Sequence, residues 1–238
     1  HISIQKKYNA GDYEKDAIQL IQDIHKRKNT IIIVGGSGLY MQAINNGFDQ
    51  IPKIKNINRE KSNKEFEEKG LKWLQIKIKK IDPIFYKTCD INNSQRLLRV
   101  LEVFYETGNP ISLYKTNTKK KRNFKSLNIG LNAERKLLYE KINDRVDQMI
   151  TAGLLKEVKS LIQHQHLNAL QTVGYKELFQ FYNNNISLND AIKEIKKNTR
   201  RYAKRQITWF KKNKSIHWFE PNQEDDIIKF IELQLPYL

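Results

Sequence analysis

The run "TIIIV" (Thr30 to Val34), closed by "GGSG" (Gly35 to Gly38), constrains the fold more than any other stretch. Consecutive β-branched residues leave no polar face, so the pattern reads as a strand covered on both sides, as in a parallel sheet. The paired glycines interrupt it at the strand's carboxyl end, where α/β folds hold their ligands. Ahead of it, "YNAGDYEKDAIQLIQDIHKRKN" sets Tyr13, Ala17, Leu20, Ile21 and Ile24 at helical spacing, and "LYMQAINNG" after it reads as a helix that stops at Gly47. Helix, strand, turn and helix in that order is an α/β signature.

Pro52 and the Lys/Asn-rich "KIKNINREKSNK" mark a boundary, and residues 58–107 read as mainly helical. The clearest element there is "NSQRLLRVLEVFYETGNP". Asn93 or Ser94 can cap it, Leu97, Leu101 and Phe104 line one face, and Gly108 and Pro110 end it. The basic "YKTNTKKKRNFK" is a loop, and "SLNIGLN" reads as a second strand. "AERKLLYEKINDRVDQMITAG" is a helix with Leu138, Ile142, Val146 and Met149 on its buried stripe. "LLKEVKSLIQ" and "TVGYKELFQFYNN" supply shorter helices. The last long helix opens at Ser187, with Asp190 standing where a capping box carries Glu.

Lys and Arg number 43 against 26 Asp and Glu, giving a formal charge of +17 and a pI near 9.7. Such an excess selects a polyanion as partner, nucleic acid before anionic membrane. Many of the lysines sit beside Asn and Ile, as AT-biased coding also produces, so clustering carries more weight than the total. Ten of the 22 residues from Lys193 to Lys214 are basic and one is acidic. Lys193, Lys197, Arg200, Lys204 and Lys211 make a ladder on one helix face, which reads either as a solvated surface or as a grip on phosphates. Tyr202, Trp209 and Phe210 are expected to anchor the same helix. Arg145, beside the stripe of Ile142, Val146 and Met149, is expected to point toward the interior and to need an anion, either a carboxylate or a phosphate.

Several chemistries are excluded. "GGSG" carries no Gly-Lys-Ser/Thr and is not a Walker A loop, and Leu39 stands where a nucleophile elbow needs Gly. His1, His25, His164, His166 and His217 are scattered, so no metal site is readable. A single cysteine, Cys89, forbids an intrachain disulfide and suits a reducing compartment. No apolar run approaches the length of a membrane span.

The segments "YNAGDYEKDA", "VGGSGLYMQAINNGFDQIP", "QRLLRVLEVFYETGNPIS", "ERKLLYEKINDRVDQMITAGLLKEV", "TVGYKE" and "TRRYAKRQITWF" run in order through nearly the whole chain. Together they resemble the bacterial tRNA dimethylallyltransferases, also called tRNA isopentenyltransferases. The resemblance implies a P-loop NTPase-like α/β core, residues 1–52 and 127–238, which includes a helical C-terminal region. It implies a mainly helical insert, residues 53–126, over the tRNA anticodon stem-loop. It implies transfer of a dimethylallyl group from dimethylallyl diphosphate, with Mg²⁺, to N6 of the adenosine next to the anticodon. It also implies a cytoplasmic, monomeric protein with no membrane partner.

Carried over by position, the resemblance places Ser37, Arg59, Gln95, Arg96, Arg99, Gly174, Tyr175, Lys176, Thr199, Arg200, Lys204, Arg205 and Gln206 on tRNA. It places Arg145 at the diphosphate. The Gly-rich loop and the general-base Asp that open the family's pattern have no counterpart here. The expectation is that a segment is missing ahead of His1 and that these residues alone are inactive. Rival readings are a non-catalytic RNA-binding protein, a tRNA methyltransferase using S-adenosylmethionine, and an enzyme prenylating free adenine nucleotides.

Overall fold

The computed structural model describes residues 1–116 and 118–237. Asn117, inside the basic loop read between 114 and 125, lies outside the described residues. The helices are α1 (Ala10–His25), α2 (Gly38–Asn46), α3 (Asn56–Ile81), α4 (Pro83–Thr88), α5 (Ser94–Thr107), α6 (Arg135–Thr151), α7 (Leu154–Ser160), α8 (Tyr175–Tyr182), α9 (Leu188–Phe210) and α10 (Glu224–Gln234). The strands are β1 (Asn128–Leu131), between α5 and α6, and β2 (Ile216–Phe219), between α9 and α10. The chain divides into two compact units, residues 1–45 with 122–238, and residues 46–121.

The first unit is α/β and mostly helical, with one small parallel sheet. β1 and β2 pair in parallel, Gly130 standing opposite Trp218. A Cβ on Gly130 would come within 2.7 Å of the Trp218 ring, so the glycine makes room for the indole. Val146, Leu154, Val158, Leu178, Phe179, Ala191 and Ile195 form its helical core, which joins α6, α7, α8 and α9. α1 starts on a full capping box, with the Asn9 side chain on the Asp12 N–H and the Asp12 carboxylate on the Asn9 N–H. Ser187 caps α9 by accepting the Asp190 N–H at 3.1 Å, but the box expected there is not closed, because the Asp190 carboxylate accepts from the Ser187 hydroxyl at 2.7 Å and not from its backbone N–H.

The segment "TIIIV" departs from expectation. It joins no strand ladder, and Ile32 and Val34 are 84 % and 91 % exposed. A strand exists only where a neighbour takes up its backbone groups. Among the described residues β1 and β2 satisfy each other and leave "TIIIV" without one.

The second unit is helical. Leu74, Ile78, Leu97, Val100, Leu101, Val103 and Ile111 are almost wholly buried at its centre, where α3 packs along α5. Phe104, expected on the buried face of α5, is only partly covered, because Val100 and Val103 turn inward instead. Asn93 caps α5 through the Arg96 N–H, and Gly108 ends it in the left-handed region at φ 72°. α3 is interrupted at Gly70, whose φ of 73° and ψ of −176° no other residue adopts cheaply.

Asp82 joins three elements of this unit. It ends α3, caps α4 by accepting the Phe85 N–H at 2.9 Å, and accepts the Ser112 N–H at 2.8 Å, all while fully buried.

Candidate nucleic-acid interface

α9 is built to be held on one side and open on the other. Ala191 and Ile195 bury its first turns in the core. Farther along, α6 takes over with polar contacts. The Lys196 ammonium meets the Asp147 carboxylate at 2.7 Å. Arg200 donates to the Asn143 side-chain oxygen at 2.7 Å, and its guanidinium lies 5.9 Å from the Tyr139 ring centroid. Thr199 turns its hydroxyl back onto the Ile195 carbonyl. Lys204 and Arg205 remain exposed and make no ion pair among the described residues, although the Arg205 guanidinium stacks 5.9 Å over the Tyr202 ring.

The second half of α9 closes on the glycine loop. Gln206 donates to the Gly36 carbonyl at 2.6 Å. A Cβ on Gly36 would fall 2.3 Å from the Gln206 amide nitrogen, and one on Gly38 would fall 2.2 Å from the Trp209 indole. Gly36 and Gly38 are therefore small because α9 lies against them. Ser37 caps α2, its hydroxyl facing the Tyr40 N–H at 3.4 Å. Of the expected anchors, Tyr202 is 49 % exposed and does not serve as one, whereas Trp209, 42 % exposed, lays its indole against Gly38 and Phe210 is half-buried. The buried anchors are Ala191 and Ile195, about two to five turns nearer the start of the helix.

Arg145 also departs from expectation. It is exposed on α6, between buried Ile142 and Val146, and has no ion-pair partner among the described residues. Gly174 stands at the start of α8 with φ 100°, and its N–H is taken by the buried Glu177 carboxylate at 2.8 Å. The other Glu177 oxygen accepts from Asn198 on α9 at 2.8 Å. Tyr175 donates to Glu157, which, with burial, raises the phenol to a pKa of about 12. Lys176 is exposed at the rim of a cleft of about 480 Å³ whose amides are spent on neighbours: Gln171 donates to the Gln165 carbonyl, and Gln180 accepts from Asn185.

The candidates of the helical unit lie on α5 and at the start of α3, which packs against the far end of α5 through Asn58 and Glu106. Gln95 and Arg96 are exposed in the first turn of α5, and Arg99 pairs with Glu102 at 3.2 Å. Arg59 is half-buried in the first turn of α3. A cation the sequence did not single out lies here as well. The Lys115 ammonium sits 4.5 Å from the Phe85 ring centroid, and burial, with Arg96 nearby, pushes its pKa down.

The family model described as IPP transferase matches residues 1–213. The chain belongs to that family. It is 48 % identical over 236 residues to a protein of Christiangramia forsetii named tRNA dimethylallyltransferase, covering 99 % of this chain and 78 % of that one. It is 42 % identical over 234 residues to the protein of that name in Cytophaga hutchinsonii, covering 98 % and 77 %. Among solved structures it is similar to the full-length tRNA isopentenylpyrophosphate transferase of Bacillus halodurans. That likeness has a TM-score of 0.65 and 31 % identity, and covers 99 % of this chain and 75 % of the other. A eukaryotic dimethylallyltransferase shares the fold at TM-score 0.76 and 24 % identity, covering all of this chain and 64 % of that one.

Within this IPP transferase family member, α9, α6 and the Gly35–Gly38 loop gather Ser37, Arg200, Lys204, Arg205 and Gln206 on neighbouring elements. What the sequence missed are the α6 groups that hold α9: Tyr139 and Asn143, which receive Arg200, and Asp147, which pairs with Lys196. A spacing of four places Tyr139, Asn143 and Asp147 on one face of α6, but nothing in the sequence aims that face at α9. No helix among the described residues is long and apolar enough to cross a membrane.

Proposed function

We propose that this protein transfers the dimethylallyl group of dimethylallyl diphosphate to N6 of the adenosine next to the anticodon of a tRNA. The N6 lone pair attacks C1 of the prenyl group, the C1–oxygen bond breaks, diphosphate leaves with the electron pair, and N6 gives up a proton. An adenine inside a stacked loop presents N6 poorly, so the base is turned out before it reacts. The observation that carries the reading is the near full-length likeness to relatives named for this activity. The open cations of α9 and the exposed Tyr202 support it, because single-stranded RNA is held by phosphate contacts with aromatic faces beside them.

In this reading the α/β unit is a P-loop NTPase-like core and the helical unit is the insert over the anticodon stem-loop. The protein works as a monomer in the cytoplasm. This chain supplies the grip on the tRNA, through Ser37, Arg59, Gln95, Arg96, Arg99, Gly174, Tyr175, Lys176, Thr199, Arg200, Lys204, Arg205 and Gln206. Arg145 meets the diphosphate. Mg²⁺ belongs to the reading as the diphosphate's counter-ion. The described residues contain no group of three or more His, Cys, Asp or Glu placed to hold a metal, and no step is assigned to it.

The decisive experiment incubates the protein made from the whole reading frame with unmodified tRNA, dimethylallyl diphosphate and Mg²⁺. Nucleoside mass spectrometry should then find adenosine carrying one added C5H8 unit. Tight tRNA binding without that product would favour a non-catalytic RNA-binding protein. Arg145→Ala should lower kcat/KM for dimethylallyl diphosphate by about a hundredfold, as loss of a contact to a developing anion does. Because Arg145 is exposed, thermal stability should stay put. Unchanged kinetics would make it an ordinary surface cation.

A further inference from the structure

Arg122 takes no part in the reaction just described, yet it is among the most constrained cations of the α/β unit. Its side chain is 12 % exposed and faces Glu14, 8 % exposed, at 2.9 Å. From the same guanidinium, Nε donates to the Ile44 carbonyl at 2.8 Å and Nη2 to the Ala43 carbonyl at 2.5 Å. Those carbonyls belong to the last turn of α2, which has no partners of its own within the helix. A cation there also meets the negative end of the helix dipole. Ala43 and Ile44 are 0 % and 3 % exposed, so water does not reach them as a substitute.

We propose that Arg122 is a positioning residue for the Gly35–Gly38 loop, acting through α2; this rests on the transferase reading above. α2 is nine residues long, so its two ends lie only about 13 Å apart. Its first residue follows Ser37, and its start is the loop that receives Gln206 and Trp209. Its side is fixed to α1 by the Tyr13–Tyr40 stack, 3.9 Å between ring centroids. Glu14, one residue from Tyr13 on α1, fixes the Arg122 fork. The far end of the rod is thus held by the Arg122 fork on two carbonyls, beside the Asn45–Asn128 side-chain bond at 2.9 Å, and a shift there moves the loop at the other end. Only a planar fork serves two carbonyls and a carboxylate at once. A lysine keeps the charge opposite Glu14 and loses the geometry.

The test compares wild type, Arg122→Lys and Glu14→Gln in the whole protein by hydrogen exchange over residues 38–46 and by steady-state transfer to tRNA. Arg122→Lys should exchange these amides at least about tenfold faster. Its kcat per folded molecule should fall about ten- to a hundredfold while KM for tRNA stays near wild type, as a misplaced but intact site behaves. Glu14→Gln keeps the two carbonyl bonds, should be milder in both readouts, and serves if the lysine variant does not fold. Wild-type exchange over 38–46, or unchanged kcat per folded molecule, overturns the proposal. If wild type transfers nothing, the transferase reading fails, and the exchange measurement alone decides whether Arg122 fixes α2 and its loop.

Discussion

Lys204→Ala combined with Arg205→Ala is expected to weaken tRNA binding about tenfold near 0.15 M salt, and by progressively less as salt approaches 1 M. Each phosphate contact on single-stranded RNA releases condensed counterions, worth roughly 0.7 in the log–log slope of affinity against salt. Two lost contacts flatten the slope by about 1.4. These two cations are chosen because they are exposed and spend no charge on a carboxylate of the described chain. Arg200 is the informative control. Its guanidinium is committed to Asn143 and to the Tyr139 ring, so Arg200→Ala should lower stability by loosening α9 from α6 as well as weaken binding. Lys193→Ala is a second control. Lys193 already pairs with Asp190 at 3.6 Å, and its removal should leave the slope alone. A titration series from low to high salt reads all of these. If the Lys204/Arg205 variant keeps the wild-type slope, this face of α9 is solvated surface and the tRNA grip lies elsewhere.

How far the sequence led is clearest at α9 itself. Its start was legible because Ser187 and Asp190 form a cap that depends on neighbours alone, and its cations because charge is visible in composition. Its contacts were not, because they come from distant sequence: Asn143 lies 57 residues from Arg200, and Gly36 lies 170 residues from Gln206. The same division explains the aromatics. Tyr202 and Trp209 look like anchors because they are large, but covering them requires a partner surface. On this helix the core lies against the first turns, at Ala191 and Ile195, and farther along Trp209 meets only the small Gly38. "TIIIV" failed for the parallel reason, since its composition states what environment it suits and not whether a strand lies beside it. β2 was missed because four residues carry too short a pattern to stand out from a loop. Arg122 was passed over as one cation in a basic loop, when only the fold sets it against Glu14 and the end of α2.

The other large effect is expected at Asp82, where Asp82→Ala should destabilise the helical unit by about 2–4 kcal/mol. The sequence carried a signal for it: Asp before Pro is an N-cap followed by the residue that best tolerates the first helical position. Asp82 does cap α4, accepting the Phe85 N–H at 2.9 Å, with Pro83 opening the helix. Loss of such a cap costs about 1 kcal/mol. The second oxygen raises the cost. It accepts the Ser112 N–H at 2.8 Å and so ties the turn after α5 to the junction of α3 and α4. Since Asp82 is fully buried, alanine would leave both N–H groups without water or acceptor, a further penalty of about 1–3 kcal/mol. Asp82→Asn retains one acceptor oxygen and presents an NH2 group to the other donor, so its cost should be intermediate. Because the chain divides into two compact units, a single melting temperature would blur the result. Hydrogen exchange of the Leu97–Val103 amides, which sit in the core of this unit, reads its opening directly. The two substitutions should speed that exchange in the order Asn, then Ala, while the amides of α6 and α9 stay protected. A loss below about 0.5 kcal/mol for alanine, the size of an ordinary surface change, would mean that Asp82 is an incidental cap and not the junction of this unit.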